Sequence, residues 1–265
     1  MLSAQLVIQG AGWWTPRCTG WPAARQALAT GRWPDGPVQR PTTALLAANE
    51  RRRAPDAVLM ALQVADEACR AAGVDRATVA SVFTSAHGDL AIVDALCRTL
   101  AEDPALLSPM RFHHSVHNAA AGYWAIAAGN REAGIALAAG EHSFAQGLLE
   151  AISQCVADQR PVLLVGCDTE AVGALRSVNR SRGWLALALL LAPVGATSGA
   201  GRGLAVSPAP ASAARPMVPP LPADLRDNAM SPAVPLFAAL AGPEPAQLAL
   251  ALGGPSAIGL RLAAA

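Results

Sequence analysis

Two short runs constrain this chain more than any other feature. Residues 161–165 (PVLLV) and 185–191 (LALALLL) are apolar at successive positions, not at every second one. A strand with one wet face alternates apolar and polar side chains, so an unbroken apolar run demands cover on both faces of its sheet. The neighbouring segments supply that cover. Val58, Leu62, Ala65 and Cys69 recur at three- and four-residue steps, and Gly73 follows where a left-handed helix cap belongs. Residues 91–100 and 144–156 also read as helices, the second with Leu148, Leu149 and Ile152 on one side. Further strands are expected at 5–9, 79–85 and 135–139. Strands alternating with helices predict right-handed βαβ units in an α/β fold. Gly10-Ala11-Gly12 follows the first strand without a third glycine or a helix start, so it reads as a turn and not a dinucleotide site.

Composition narrows the function classes. Hydrophobic residues make up 52% and charged ones 15%, which suits an ordered chain with a sizeable core. The net charge of +1 leaves no electrostatic footprint for nucleic acid or anionic lipid. There is no lysine, which excludes a lysine Schiff base, a lysine general base and a P-loop lysine. Cys18, Cys69, Cys97, Cys155 and Cys167 are odd in number and contain no Cys-x-x-Cys pair, so reduced thiols are expected and a zinc site is not. The first residues lack a basic leader pattern, and the most apolar run, 184–194, is shorter than the roughly 20 residues a membrane span needs. The expectation is a soluble cytoplasmic protein with no membrane insertion. Residues 193–235 are rich in Pro, Gly, Ala and Ser and read as loop. In the closing segment 236–265, runs at 248–252 and 258–262 flank Gly253-Gly254-Pro255-Ser256, which predicts a hairpin within a single domain spanning 1–265.

Several chemistry-bearing residue types have modest readings. Ser85, His87 and Asp89 contain triad residue types, but three residues so close in sequence rarely reach triad geometry, so a strand-end turn is expected. His113 and His117 would share a helix face, yet no carboxylate or cysteine nearby completes a metal shell around them and His114. Cys167 ends a strand beside Asp168, whose charge disfavours a thiolate, so it reads as structural.

The stretch 108–155, SPMRFHHSVHNAAAGYWAIAAGNREAGIALAAGEHSFAQGLLEAISQC, carries more. It resembles the central part of β-ketoacyl synthases of the thiolase superfamily, where an Asn-containing, glycine-ended segment leads to a strand, the nucleophile and a buried helix. Asn118 to Gly122 resembles the first part, 135–139 the strand and 144–156 the helix. SVHNAAAG, with RRR upstream and SAHGDL between, is similar to the short chain-length-factor type of aryl polyene and xanthomonadin-type clusters. The resemblance covers roughly residues 1 to 192. It implies a thiolase-like layered fold, a mixed sheet flanked by helices, with 1–192 as the first half and a truncated second half.

The same resemblance sets the expected chemistry. It places Glu141, with His142 adjacent, where the ketosynthase cysteine would stand. A thiolate there accepts an acyl group as a thioester of similar energy, whereas acylating a carboxylate gives a mixed anhydride uphill from the donor. The resemblance also implies two downstream histidines and a lysine, and none follows His142 here. The implied protein has no catalytic residues, cofactor or metal of its own. It pairs with a complete β-ketoacyl synthase subunit, meets acyl carrier protein indirectly, and bounds the growing chain. Phe112, His113, His114, His117, Asn118, Gly122, Tyr123 and Trp124 are expected at the partner interface or acyl tunnel wall. Two other readings stay open: a malonyl decarboxylase using Glu141 or His142, and a homodimeric acyl-binding scaffold.

Overall fold

The apolar runs become the interior of a nine-stranded mixed sheet in the computed structural model, which describes residues 3–179, 181–195, 201–214 and 221–265. The first half of the chain runs β1 (Ala4–Thr15), β2 (Cys18–Thr19), α1 (Trp21–Thr30), α2 (Ala48–Arg53), α3 (Asp56–Ala72), β3 (Ala80–Thr84) and α4 (Leu90–Glu102). Next come α5 (Pro109–Ser115), α6 (Ala119–Ala127), β4 (Gly134–Leu137), α7 (Ser143–Asp158), β5 (Val162–Asp168) and β6 (Leu185–Pro193). The remainder adds β7 (Arg202–Pro210), α8 (Ala223–Arg226), α9 (Val234–Ala241), β8 (Ala246–Gly253) and β9 (Ser256–Leu262). The sheet order is β4-β3-β5-β6-β1-β7-β9-β8, with β2 paired to β1. Strands β4, β3 and β5 are parallel; β6 turns antiparallel to β5 and to β1.

Every residue of β5 and β6 is buried. The alternation within β6 sorts its side chains: Leu185, Leu187, Leu189 and Leu191 join one core, while Ala186, Ala188 and Leu190 join the other. Helices α7, α9 and α1 contribute to the first core, and α3 and α6 to the second. Helix α3 buries Val58, Leu62, Ala65 and Cys69, and Gly73 ends it at φ 66° with its N–H bonded to the last turn.

Gly10 and Gly12 do not form a turn; they lie within β1, next to a bulge in its pairing with β6. The reason is close approach. A Cβ on Gly10 would stand 2.1 Å from the Ala68 carbonyl oxygen, and one on Gly12 2.2 Å from that of Val64. The glycines let the α3 backbone settle directly on the strand. Gly12→Ala is therefore expected to lower stability by about 1–3 kcal/mol, the range for overpacking a core, as read from urea unfolding.

The stretch 193–235 is not continuous loop. Strand β7 occupies 202–210, pairing with β1 through Val206 and with β9 from Leu204 onward, and α8 follows. Pro208 and Pro210 lie where the β1 side is already open, so their missing N–H groups cost no pairing on that side. Residues 196–200 and 215–220 of this stretch lie outside the described residues. In the closing segment, α9 precedes the antiparallel pair β8–β9. Among the described residues no helix is long and apolar enough to cross a membrane.

Candidate functional site

The site is built at the carboxyl ends of β3, β4 and β5, where open α/β sheets place their ligands. Strand β4 ends at Leu137, and a tight turn carries the chain into α7. Ser143 holds that turn: its Oγ accepts the Ala139 N–H at 2.9 Å and donates to the Gly140 carbonyl at 2.7 Å. Gly140 takes φ +57°, which favours glycine. Thr84 at the end of β3 donates to the Ser143 carbonyl at 2.8 Å, tying turn to sheet. Glu141 thus stands at the start of α7 with its side chain 81% exposed, 3.7 Å from His142 Nε2. The His142 ring lies against Gly253 in the β8–β9 turn, and Gln146 donates to the Leu252 carbonyl at 2.6 Å. The closing hairpin is latched over the start of α7.

The segment 112–124 forms the neighbouring surface. Helix α5 ends at Ser115, so His113 and His117 do not share a helix face as the spacing predicts. Phe112, His113, His117 and Asn118 are exposed, and Gly122 faces open space with no atom near a Cβ. His114 is buried and shares a 3.0 Å hydrogen bond with the Tyr123 hydroxyl; burial, then its neighbour His113, lowers its pKa. Trp124 points inward, fully buried against Phe83. Of the bulky side chains expected at the partner interface or tunnel wall, Phe112 is exposed, Tyr123 is half-buried and Trp124 is buried.

Behind this segment lies a narrow apolar cavity walled by Val58, Phe83, Val116 and Ala120, with Ser85, Asp89 and His117 at its polar end. Ser85, His87 and Asp89 do form a strand-end turn, held by Asp168. One Asp168 oxygen accepts the Ser85 hydroxyl at 2.8 Å and the His87 N–H at 3.2 Å; the other accepts the Ala86 N–H at 2.8 Å. Burial pushes Asp168 up to about 7 against these three bonds, which favour the ionised form. Cys167 is buried beside it, and burial and the Asp168 charge push its thiol well above the ordinary range. It has the character of a structural thiol.

Sequence reasoning missed Asp168 as an organiser. The signal was present: an acid closing a strand that is buried on both faces cannot stand there without donors. Asn228 was also missed. Its side-chain amide donates to the carbonyls of Asp168, Arg182 and Gly183 from a buried position, and no local pattern announces that role.

With this geometry in hand, known structures are informative. No curated protein matches the chain in sequence. A ketosynthase (ApeO) in complex with its chain length factor (ApeC) from Xenorhabdus doucetiae matches at TM-score 0.73 and 23% identity, over 97% of this chain and 98% of the matched one. The ishigamide ketosynthase/chain length factor matches at TM-score 0.69 and 15% identity, over 98% and 99%. A beta-ketoacyl synthase from Burkholderia phymatum STM815 matches at TM-score 0.61 and 14% identity, over 78% of this chain and 64% of its own. At these identities the likeness speaks for the fold, which is the thiolase-like ketosynthase fold. Residues 21–219 fit the family pattern described as Beta-ketoacyl synthase, N-terminal domain, and the chain belongs to that family.

Proposed function

We propose that this chain is a catalytically inactive ketosynthase-like subunit acting as a chain-length factor for a complete β-ketoacyl synthase, in cytoplasmic biosynthesis of aryl polyene or related polyketide chains. One observation carries this reading. Glu141, which the family resemblance aligns with the nucleophile position, is an exposed carboxylate at the start of α7, near a sheet edge and apolar side chains that the described residues leave uncovered. A carboxylate there has no favourable route to an acyl intermediate, because the anhydride lies above the thioester donor. The chain also has no lysine, and no histidine beyond His142. The uncovered surfaces suit obligate pairing, whose interfaces resemble a core cut in half. Length adds support: the matched chains in the two ketosynthase/chain length factor structures are covered almost completely, the longer synthase only to 64%.

In this reading the segment containing Phe112, His113, His114, His117, Asn118, Gly122 and Tyr123 faces the partner and the end of its acyl tunnel, with Trp124 supporting it from behind. The test is co-expression with a complete ketosynthase. A 1:1 complex is expected, with product length increased by Phe112→Ala and product yield unchanged by Glu141→Ala. A chain that purifies alone and ignores the synthase defeats the proposal. Carbon dioxide release from a malonyl-carrier protein that disappears in Glu141→Ala or His142→Ala would favour a decarboxylase instead.

A further inference from the structure

We infer that Asp168 is a positioning residue for the partner-facing surface, acting through the turn 85–88 on both the edge strand β4 and the ring of His117. The inference rests on the reading that β4 and the 112–124 segment face a synthase. Ser85 is where the links meet. Its N–H donates to the Leu137 carbonyl at the end of β4 at 3.2 Å. Its carbonyl shares a 2.9 Å hydrogen bond with His117 Nε2, and its hydroxyl donates to Asp168 while accepting the Gly88 N–H at 2.8 Å. Each hydrogen-bonding group of Ser85 therefore reaches a different element. Asp168, 1% exposed at the end of β5, holds the turn itself, through bonds to the three consecutive residues Ser85, Ala86 and His87.

The arrangement is more than a local cap. His117 is otherwise exposed, and Val116 beside it is 40% exposed, so the Ser85 carbonyl is the anchor that holds this part of the segment at one height above the cavity. On the far side, the Asp168 carbonyl takes the Asn228 amide, which ties the same point to the turn at 182–183. Through Ser85, Asp168 acts on His117, a residue it never touches. Asn at this position keeps the shape but sets an amide donor against one of the backbone N–H donors, so the turn must shift.

The test uses the whole chain, free and with a complete ketosynthase. In the free protein, Asp168→Asn should move the His117 imidazole nitrogen resonances and raise hydrogen exchange at the amides of residues 86–88. In the complex it should weaken partner binding about tenfold. His117→Ala should weaken binding similarly, and the double variant should be no worse than either single one, because both act through one contact. Ser85→Ala removes only the hydroxyl link and serves the same measurements if Asp168→Asn does not fold. Unchanged imidazole resonances overturn the inference, as does additivity of the two substitutions in binding. If the unaltered chain binds no synthase, the chain-length-factor reading fails, while the resonances still decide whether Asp168 positions His117.

Discussion

Replacing Arg202 by alanine is expected to lower the stability of this fold strongly. Arg202 is 5% exposed and, among the described residues, has no carboxylate partner; its guanidinium is spent on main-chain carbonyls. Nε donates to Ala263 at 2.8 Å, one terminal nitrogen to Ala239 and Gly242 at 2.6 Å each, and the other to Glu244. Those carbonyls belong to the end of α9, the link into β8 and the exit from β9, so one side chain gathers the closing segment onto β7. Bonds to a charged donor contribute about 1.5–3 kcal/mol each, and alanine would leave several buried acceptors without a donor. The expected loss is on the order of 3–5 kcal/mol, seen as a lower urea midpoint. Lysine recovers little, because an ammonium on a flexible stem cannot span four separated carbonyls as the planar fork does. A midpoint within experimental error of the unaltered chain would mean that the closing segment is held by its apolar contacts alone.

Arg202 also illustrates what the sequence could and could not disclose. Strands β3 to β6 and helices α3, α4 and α7 were legible because burial writes a strong pattern: LALALLL can hardly be anything but an interior strand, and Gly73 marks the end of α3, whereas α1, α2, α5 and α6 gave no such signal. Strand β7 was hidden because RGLAVSPAP mixes small residues with proline, and its role depends on pairing with β1, nearly two hundred positions away. Gly10 and Gly12 misled for a related reason. Glycine signals a turn by local conformation, but here it answers a contact with α3 that only the folded chain reveals. At the site, the absence of a thiol near position 141 was readable, whereas the Asp168–Ser85–His117 chain joins residues from three separate segments. Local pattern reports burial well and reports long-range polar pairing hardly at all. That asymmetry explains why the core was foreseen and the organising acid was not.

Ile126→Arg should weaken partner binding strongly while leaving the isolated chain as stable as before. Helix α6, AAAGYWAIA, is apolar on every side, a pattern that belongs to a helix covered all round. In this chain only Trp124 is fully inside; Ile126 is 80% exposed and packs on nothing that would hold it out of water. The helix rests on α3, β3 and β4, and among the described residues β4 pairs with β3 alone, leaving its outer row of main-chain groups without a strand partner. Leu100, Leu106, Met110, Phe112 and Val116, each at least 40% exposed, are further apolar side chains left in water on α4, on α5, which packs on both α4 and α6, and on the residues that flank it. An exposed apolar area of that kind marks an interaction surface. An arginine at 126 would carry an unpaired charge into the middle of it, with a penalty above about 2 kcal/mol, or more than roughly thirtyfold in affinity. Because the side chain already lies in water in the free chain, the unfolding midpoint should move by no more than about 0.5 kcal/mol. Val38→Arg is the matched control: that valine is 66% exposed beside Gln39, whose N–H bonds to Pro16 after β1 and not to α6, and its substitution should leave binding intact. If the two variants bind a ketosynthase equally well, α6 and the β4 edge are not the partner surface, and the position of the interface must be sought on another face of the sheet.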